Sequence, residues 1–251
     1  MSKKDTINVY WAPASYVNLN SPVAWNMLYP DPVNLFTELN KNKNMDESKT
    51  SYFVCPAFKG LSKKTYMFKN AVNCKYQYNF SENPGTINPI TENFLDVSIK
   101  RGLADNKHPM IALSLFYIFF SDQPLLATFS PPTFNEPGYT KYGAVVPGEF
   151  DIGQWFRPYP LEMQLWEKNG TIEFKEDEPF FYVKFNTDKK INLQRFNFNE
   201  QLSGYSNHCT TYGRTFGSFH DFSKMYLKFK QSNMKSLILK EIKNNLVEEI
   251  K

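Results

Sequence analysis

The chain has 251 residues, with 29 Lys and Arg against 25 Asp and Glu and a formal net charge of +4. A balance this even speaks against nucleic acid as a partner, since nucleic-acid binders carry a basic face or stripe. Three cysteines without a C-x-x-C spacing indicate neither a disulfide framework nor a zinc knuckle. The length suits one large domain that buries its core without staples.

Aromatic residues reach 17%, with 23 Phe and 15 Tyr, so the core is expected to be built from rings. There are 25 Asn against 9 Ala, which disfavours helices because Asn competes with the helical backbone for hydrogen bonds. The fold class that follows is mainly β: an antiparallel sandwich or distorted barrel, with a short helix in the N-terminal half and an amphipathic helix at the C-terminus.

In chain order, residues 6–17 carry Tyr10 and Trp11 and read as a first strand. Asp31-Pro32 is a helix start, and Val33, Phe36 and Leu39 recur at helical spacing, giving a helix over 32–42. The polar residues 40–50 read as a mobile loop. Strands follow at 51–55, 64–69 and 72–80, the last two joined at Asn70-Ala71 as a hairpin, and 81–93 is a loop. Met110 to Phe120 is apolar on both faces, the pattern of a central strand, and 125–129 continues the sheet. From 143 to 185, short strands alternate with polar turns at roughly ten-residue spacing, and the stretch reads as a meander. Asn169-Gly170 there is a hairpin signal.

Beyond His220 there is no Pro or Gly. Phe222, Met225, Tyr226 and Phe229, then Met234, Ile238, Ile242, Leu246 and Ile250, fall at helical steps. The reading is an amphipathic helix, or two broken near Ser232-Asn233. Residues 1–220 are thus one β-rich domain and 221–251 a helical segment packed on it, or on a protein partner or second copy. The N-terminus is polar, and the run 110–120 is half the length a membrane helix needs. A cytoplasmic protein without a membrane partner is expected, in the host cytoplasm if viral.

Chemistry-bearing residues are few. His108, His208 and His220 are the only histidines. No H-x-D or H-x-H pair exists for an iron triad, although His208 and His220 with Glu149 form the weak metal candidate. Cys55, before a proline, reads as a buried hydrophobe, and Cys209 lacks a facing base. The Gly- and Tyr-rich segment 203–219 reads as an irregular connection or a binding loop carrying His208 and Arg214. Arg157, beside Trp155 and Phe156, reads as an Arg stacked on a ring or holding a carboxylate. The ligand-binding candidates are therefore Trp155, Arg157, His208, Arg214 and His220, and no cofactor is indicated.

Cys55-Pro56-Ala57-Phe58, Lys64-Thr65-Tyr66 and Gly153-Gln154-Trp155-Phe156-Arg157-Pro158 together resemble an uncharacterised protein family of tailed marine bacteriophages. That resemblance implies an origin and no catalytic residue. Pro147-Gly148, Ile172-x-Phe174 and Glu178-Pro179-Phe180 are similar in rhythm to the dUTPase and dCTP deaminase fold. The Ser-rich phosphate motif and the Asp- and Arg-bearing motifs of that fold are missing here, so only a compact β fold is implied. The functional expectation is a phage-type accessory protein, a non-catalytic domain binding a ligand or partner. The alternatives are a cupin-like or β-barrel enzyme with a pocket near Arg157, His208 and His220, and a virion or assembly component.

Overall fold

A computed structural model of the chain describes residues 5–14, 29–41, 52–81, 85–90, 97–100, 108–211 and 222–247. The described residues are mainly β, in three sheets that do not close into a barrel. The first sheet contains β1 (Thr6–Pro13), β6 (Val97–Lys100), β7 (Met110–Ser121), β9 (Gly143–Val145), β11 (Pro158–Leu165) and β14 (Lys190–Arg195). Its order is β14-β1-β7-β11-β9. One edge of β7 is followed by β11, and the other is shared between β1 along residues 117–121 and β6 along 110–113. β1 and β14 run parallel, while every other pair is antiparallel.

The second sheet runs β10 (Gly148–Asp151), β8 (Leu126–Ser130), β13 (Pro179–Phe185), β3 (Thr65–Lys69) and β2 (Val33–Asn34). The third is β12 (Asn169–Phe174), β4 (Cys74–Asn79) and β5 (Thr86–Pro89). Strand periodicity sends alternate side chains to opposite faces. Ile111, Leu113, Leu115, Tyr117 and Phe119 of β7 therefore enter the core shared by the sheets, and Ile118 and Phe120 enter a separate cluster behind. Across the sandwich, Phe68 of β3 stacks on Phe181 of β13 and meets Tyr117 and Phe119 of β7 edge-on. The ring-built core and the doubly buried strand at 110–120 are as the sequence indicates.

Helices α1 (Leu35–Lys41) and α2 (Pro56–Ser62) lie in the N-terminal half, and α3 (Glu200–Thr211), α4 (Phe222–Gln231) and α5 (Met234–Asn244) at the C-terminal end. The last three cover the outer face of the first sheet. Leu202, Phe229, Ile238 and Ile242 pack there against Tyr10, Ala12, Ala14, Ile118, Phe120 and Phe156. Ala12 and Ala14 are small enough to let the helices approach. Phe229, Ile238 and Ile242 of the C-terminal segment thus pack on this chain's own sheet, and the break falls at Ser232-Asn233 as its spacing indicates. No described helix is long and apolar enough to cross a membrane.

Several local expectations are corrected. Residues 52–55 are not a strand: Tyr52–Val54 is a 3-10 turn and Pro56 opens α2, where its missing N–H leaves no partner unsatisfied. The helix near residue 32 begins later, because Val33 and Asn34 pair with β3 and the Asn34 carboxamide caps the Thr37 N–H. β3 and β4 form no hairpin; they belong to different sheets, and buried Asn70 bonds the carbonyls of Val72 and Lys175 where the chain crosses between them. The presumed loop 81–93 contains β5. The stretch 143–185 is no meander, since β9 to β13 go in turn to the first, second, first, third and second sheets. Asn169-Gly170 is not a turn but the start of β12, opposite Asn79 and Tyr78. Glycine fits there because a Cβ would lie 3.0 Å from the Tyr78 hydroxyl. The tight turn lies further on, at Asp177 with φ 62°. Residues 15–17, 42–51, 82–84, 91–93 and Ile250 lie outside the described residues.

Candidate functional site

Between β10 and β11 the chain makes a turn over residues 152–157 whose conformation is tied down at each step. One oxygen of the Asp151 carboxylate accepts the N–H groups of Leu125 at 3.0 Å and Gly153 at 2.8 Å, and the other accepts the Gln154 carboxamide. Gly153 passes so close to the 123–124 backbone that a Cβ would sit 2.2 Å from the Gln123 carbonyl oxygen. Lys235 of α5 reaches across and donates to the Gly153 carbonyl at 2.9 Å. Burial lowers the pKa of this ammonium, while Asp151 and Asp122 oppose the shift. The turn thus presents Trp155 and Phe156 inward, both buried. The Arg157 guanidinium lies 5.1 Å from the Trp155 ring centroid, and the Tyr226 ring lies 4.3 Å from it.

The segment 203–219 is corrected over its first part, because 200–211 is helix α3. Asn199 caps it, its side-chain oxygen accepting the Leu202 N–H at 2.9 Å. Leu202 and Ser206 are buried on its inner face. The far end of α3 brings His208 and Cys209 over the 152–157 turn, opposite the junction of α4 and α5.

These elements enclose a cavity of about 300 Å³, lined by Gln154, Trp155, His208, Cys209, Lys228, Phe229, Gln231, Ser232 and Met234. Ser232 is already engaged at the helix junction, donating to the Phe229 carbonyl and accepting from the Met234 N–H. Burial pushes the Cys209 thiol up to about 11, a shift that a hydrogen bond from the Phe156 backbone only partly offsets. The thiol is therefore protonated at neutral pH and forms part of the cavity wall.

Of the residues singled out in the sequence, Trp155 and His208 line this cavity together, and Arg157 stands behind Trp155. Arg214 and His220 lie outside the described residues. Glu149 lies on the second sheet, where its carboxylate accepts bonds from Thr128 and Asn186, and it does not line the cavity. Among the described residues no three His, Cys, Asp or Glu side chains are grouped to hold a metal ion. His108 contacts the Trp166 carbonyl and ring away from the cavity lining. Sequence reasoning missed Gln154, Lys228, Gln231 and Met234. The signal for the last three was present, since a break between two amphipathic helices leaves a notch at their junction. Compared with known protein families, curated proteins and solved structures, the chain matches none.

Proposed function

We propose that the protein is a non-catalytic ligand-binding domain, an accessory protein of the bacteriophage type its sequence resembles, with its ligand site at the cavity beneath α3, α4 and α5. The observation that carries this reading is the cavity itself: about 300 Å³ of space beside a core built from packed rings. That volume falls at the small end of the roughly 300–1,000 Å³ range of small-molecule pockets. Its walls combine aromatic and thioether surface with two carboxamides and two basic groups, the mixture of apolar area and few polar anchors that such pockets use. A protonated thiol and a fully engaged Ser232 leave the cavity without an activated nucleophile, which favours binding over group transfer.

A fragment screen followed by amide chemical-shift mapping tests this reading. Hits that shift Gln154, Trp155, Cys209 and Met234 together are expected. Hits that map only to other surfaces, or chemical turnover of any bound fragment, would overturn it.

A further inference from the structure

Lys235 is the second residue of α5 and half-buried, and its ammonium donates to the main-chain carbonyl of Gly153, 82 positions away, at 2.9 Å. Each end of this bond stands one residue from a wall of the cavity: Met234 precedes Lys235, and Gln154 follows Gly153. An ammonium drawn part-way out of water is costly unless fixed partners receive it. Here the carbonyl does so, with the carboxylates of Asp151 and Asp122 within electrostatic reach.

The two sides joined by the bond are held with unequal firmness. The turn is pinned to the strand ends around it. The Ile152 N–H donates to the Leu125 carbonyl at 2.9 Å, the Ser121 N–H donates to the Ile152 carbonyl at 3.1 Å, and the Asp151 carboxylate collects three further donors. Gly153 cannot retreat, since the 123–124 backbone lies directly behind it. On α5, the fully buried anchors Ile238 and Ile242 begin only one turn beyond the cavity. In the first turn Met234 is half-buried, Ser236 and Leu237 are exposed, and Asn233 caps the helix without a side-chain hydrogen bond. The Lys235 bond therefore ties the less firmly held end of α5 to a rigid acceptor, and charge-assisted bonds of this kind are about twice as strong as neutral ones.

We propose that Lys235 is a latch: its bond to Gly153 holds the first turn of α5 against the 152–157 turn, and so sets the spacing of the Met234 and Trp155 walls and access to the cavity. This role rests on the binding reading above, and Lys235 serves it as a positioning residue. Alkylation of the full chain by iodoacetamide, followed cysteine by cysteine by mass spectrometry, tests the latch without a ligand. Cys209 lines the cavity and reports on its opening, while Cys74 is buried in the sheet core and reports on global unfolding. Lys235→Met keeps the aliphatic stem and a comparable helix propensity but removes the donor. In this variant Cys209 is expected to label about tenfold faster, the scale of losing one half-buried charge-assisted bond, with Cys74 unchanged. Lys235→Arg, which retains a charged donor, should label close to the parent rate. Lys240→Met, the same charge change at an exposed site of the same helix, should match the parent. An unchanged Cys209 rate, equal acceleration of Cys209 and Cys74, no rescue by Lys235→Arg, or the same acceleration in Lys240→Met would each overturn the latch. None of these outcomes bears on the binding reading, which stands or falls with the fragment screen.

Discussion

The two faces of the first sheet are packed in opposite ways. On the inner face, Phe68 touches Trp11, Tyr117, Phe119 and Phe181 at centroid separations between 4.9 and 5.6 Å, edge to face with the first three and stacked on the last. On the outer face, Ala12, Ala14 and Ile118 meet three helices through Leu202, Phe229, Ile238 and Ile242. That layer tolerates a half-buried Lys235 and a cavity at a helix junction. Rings between two sheets interlock closely, whereas rods laid on a sheet leave gaps wherever a rod ends. The inner layer supplies rigidity, and the outer layer supplies the opening.

The contrast can be broken by mutation. Phe68→Ala should remove the most stability, about 3–5 kcal/mol for a fully buried ring, read from urea unfolding. Ile238→Ala in the outer layer should remove about 2–4 kcal/mol. If it proves the larger of the two, the ranking of the layers is inverted. The smallest effect sharpens the same comparison through pH. Burial raises the Cys74 thiol to about 12 in the sheet core and Cys209 to about 11 beside the cavity. Tyr159 and Tyr182 are raised to about 12 by burial as well. Each of these groups holds its proton in the folded state after the unfolded chain has lost it. Their stabilising contribution is full below about pH 9 and declines as pH rises through 11 to 12. Stability measured against pH should therefore fall on the alkaline side, and iodoacetamide at pH 8 should label Cys209 faster than Cys74. Equal labelling would show that the cavity gives no access to the outer layer.

What the sequence revealed was whatever periodicity alone could carry. The doubly apolar run at 110–120, rich in Phe and Ile, read as a strand covered on both sides, and Ile238 and Ile242 as sharing a helix face. Strand partners were not legible. Clean alternation in Cys74, Tyr76 and Tyr78 names an inward face but not the neighbour, and here the neighbours come from the distant Ile172 and Phe174 segment. Asn169-Gly170 misled because glycine at a close approach to Tyr78 looks identical in sequence to glycine in a turn. Helix α3 was hidden by Ser203, Gly204 and Asn207, weak helix formers that mask the spacing of Leu202, Ser206 and Cys209. Only Trp155 and His208 of the candidate site were therefore proposed as ligand contacts, as isolated residues, while the elements that join them were not seen.

The parallel pairing of β1 with β14 ties together residues up to 184 positions apart. During synthesis at about 5–20 residues per second, β1 waits roughly 10–40 s for that partner to be made. Throughout this interval one edge of an apolar strand bearing Val9 and Trp11 stays open to any other extended chain. The molecule therefore acquires its closing strand late, and its risk of mispairing belongs to its birth on the ribosome more than to its mature life.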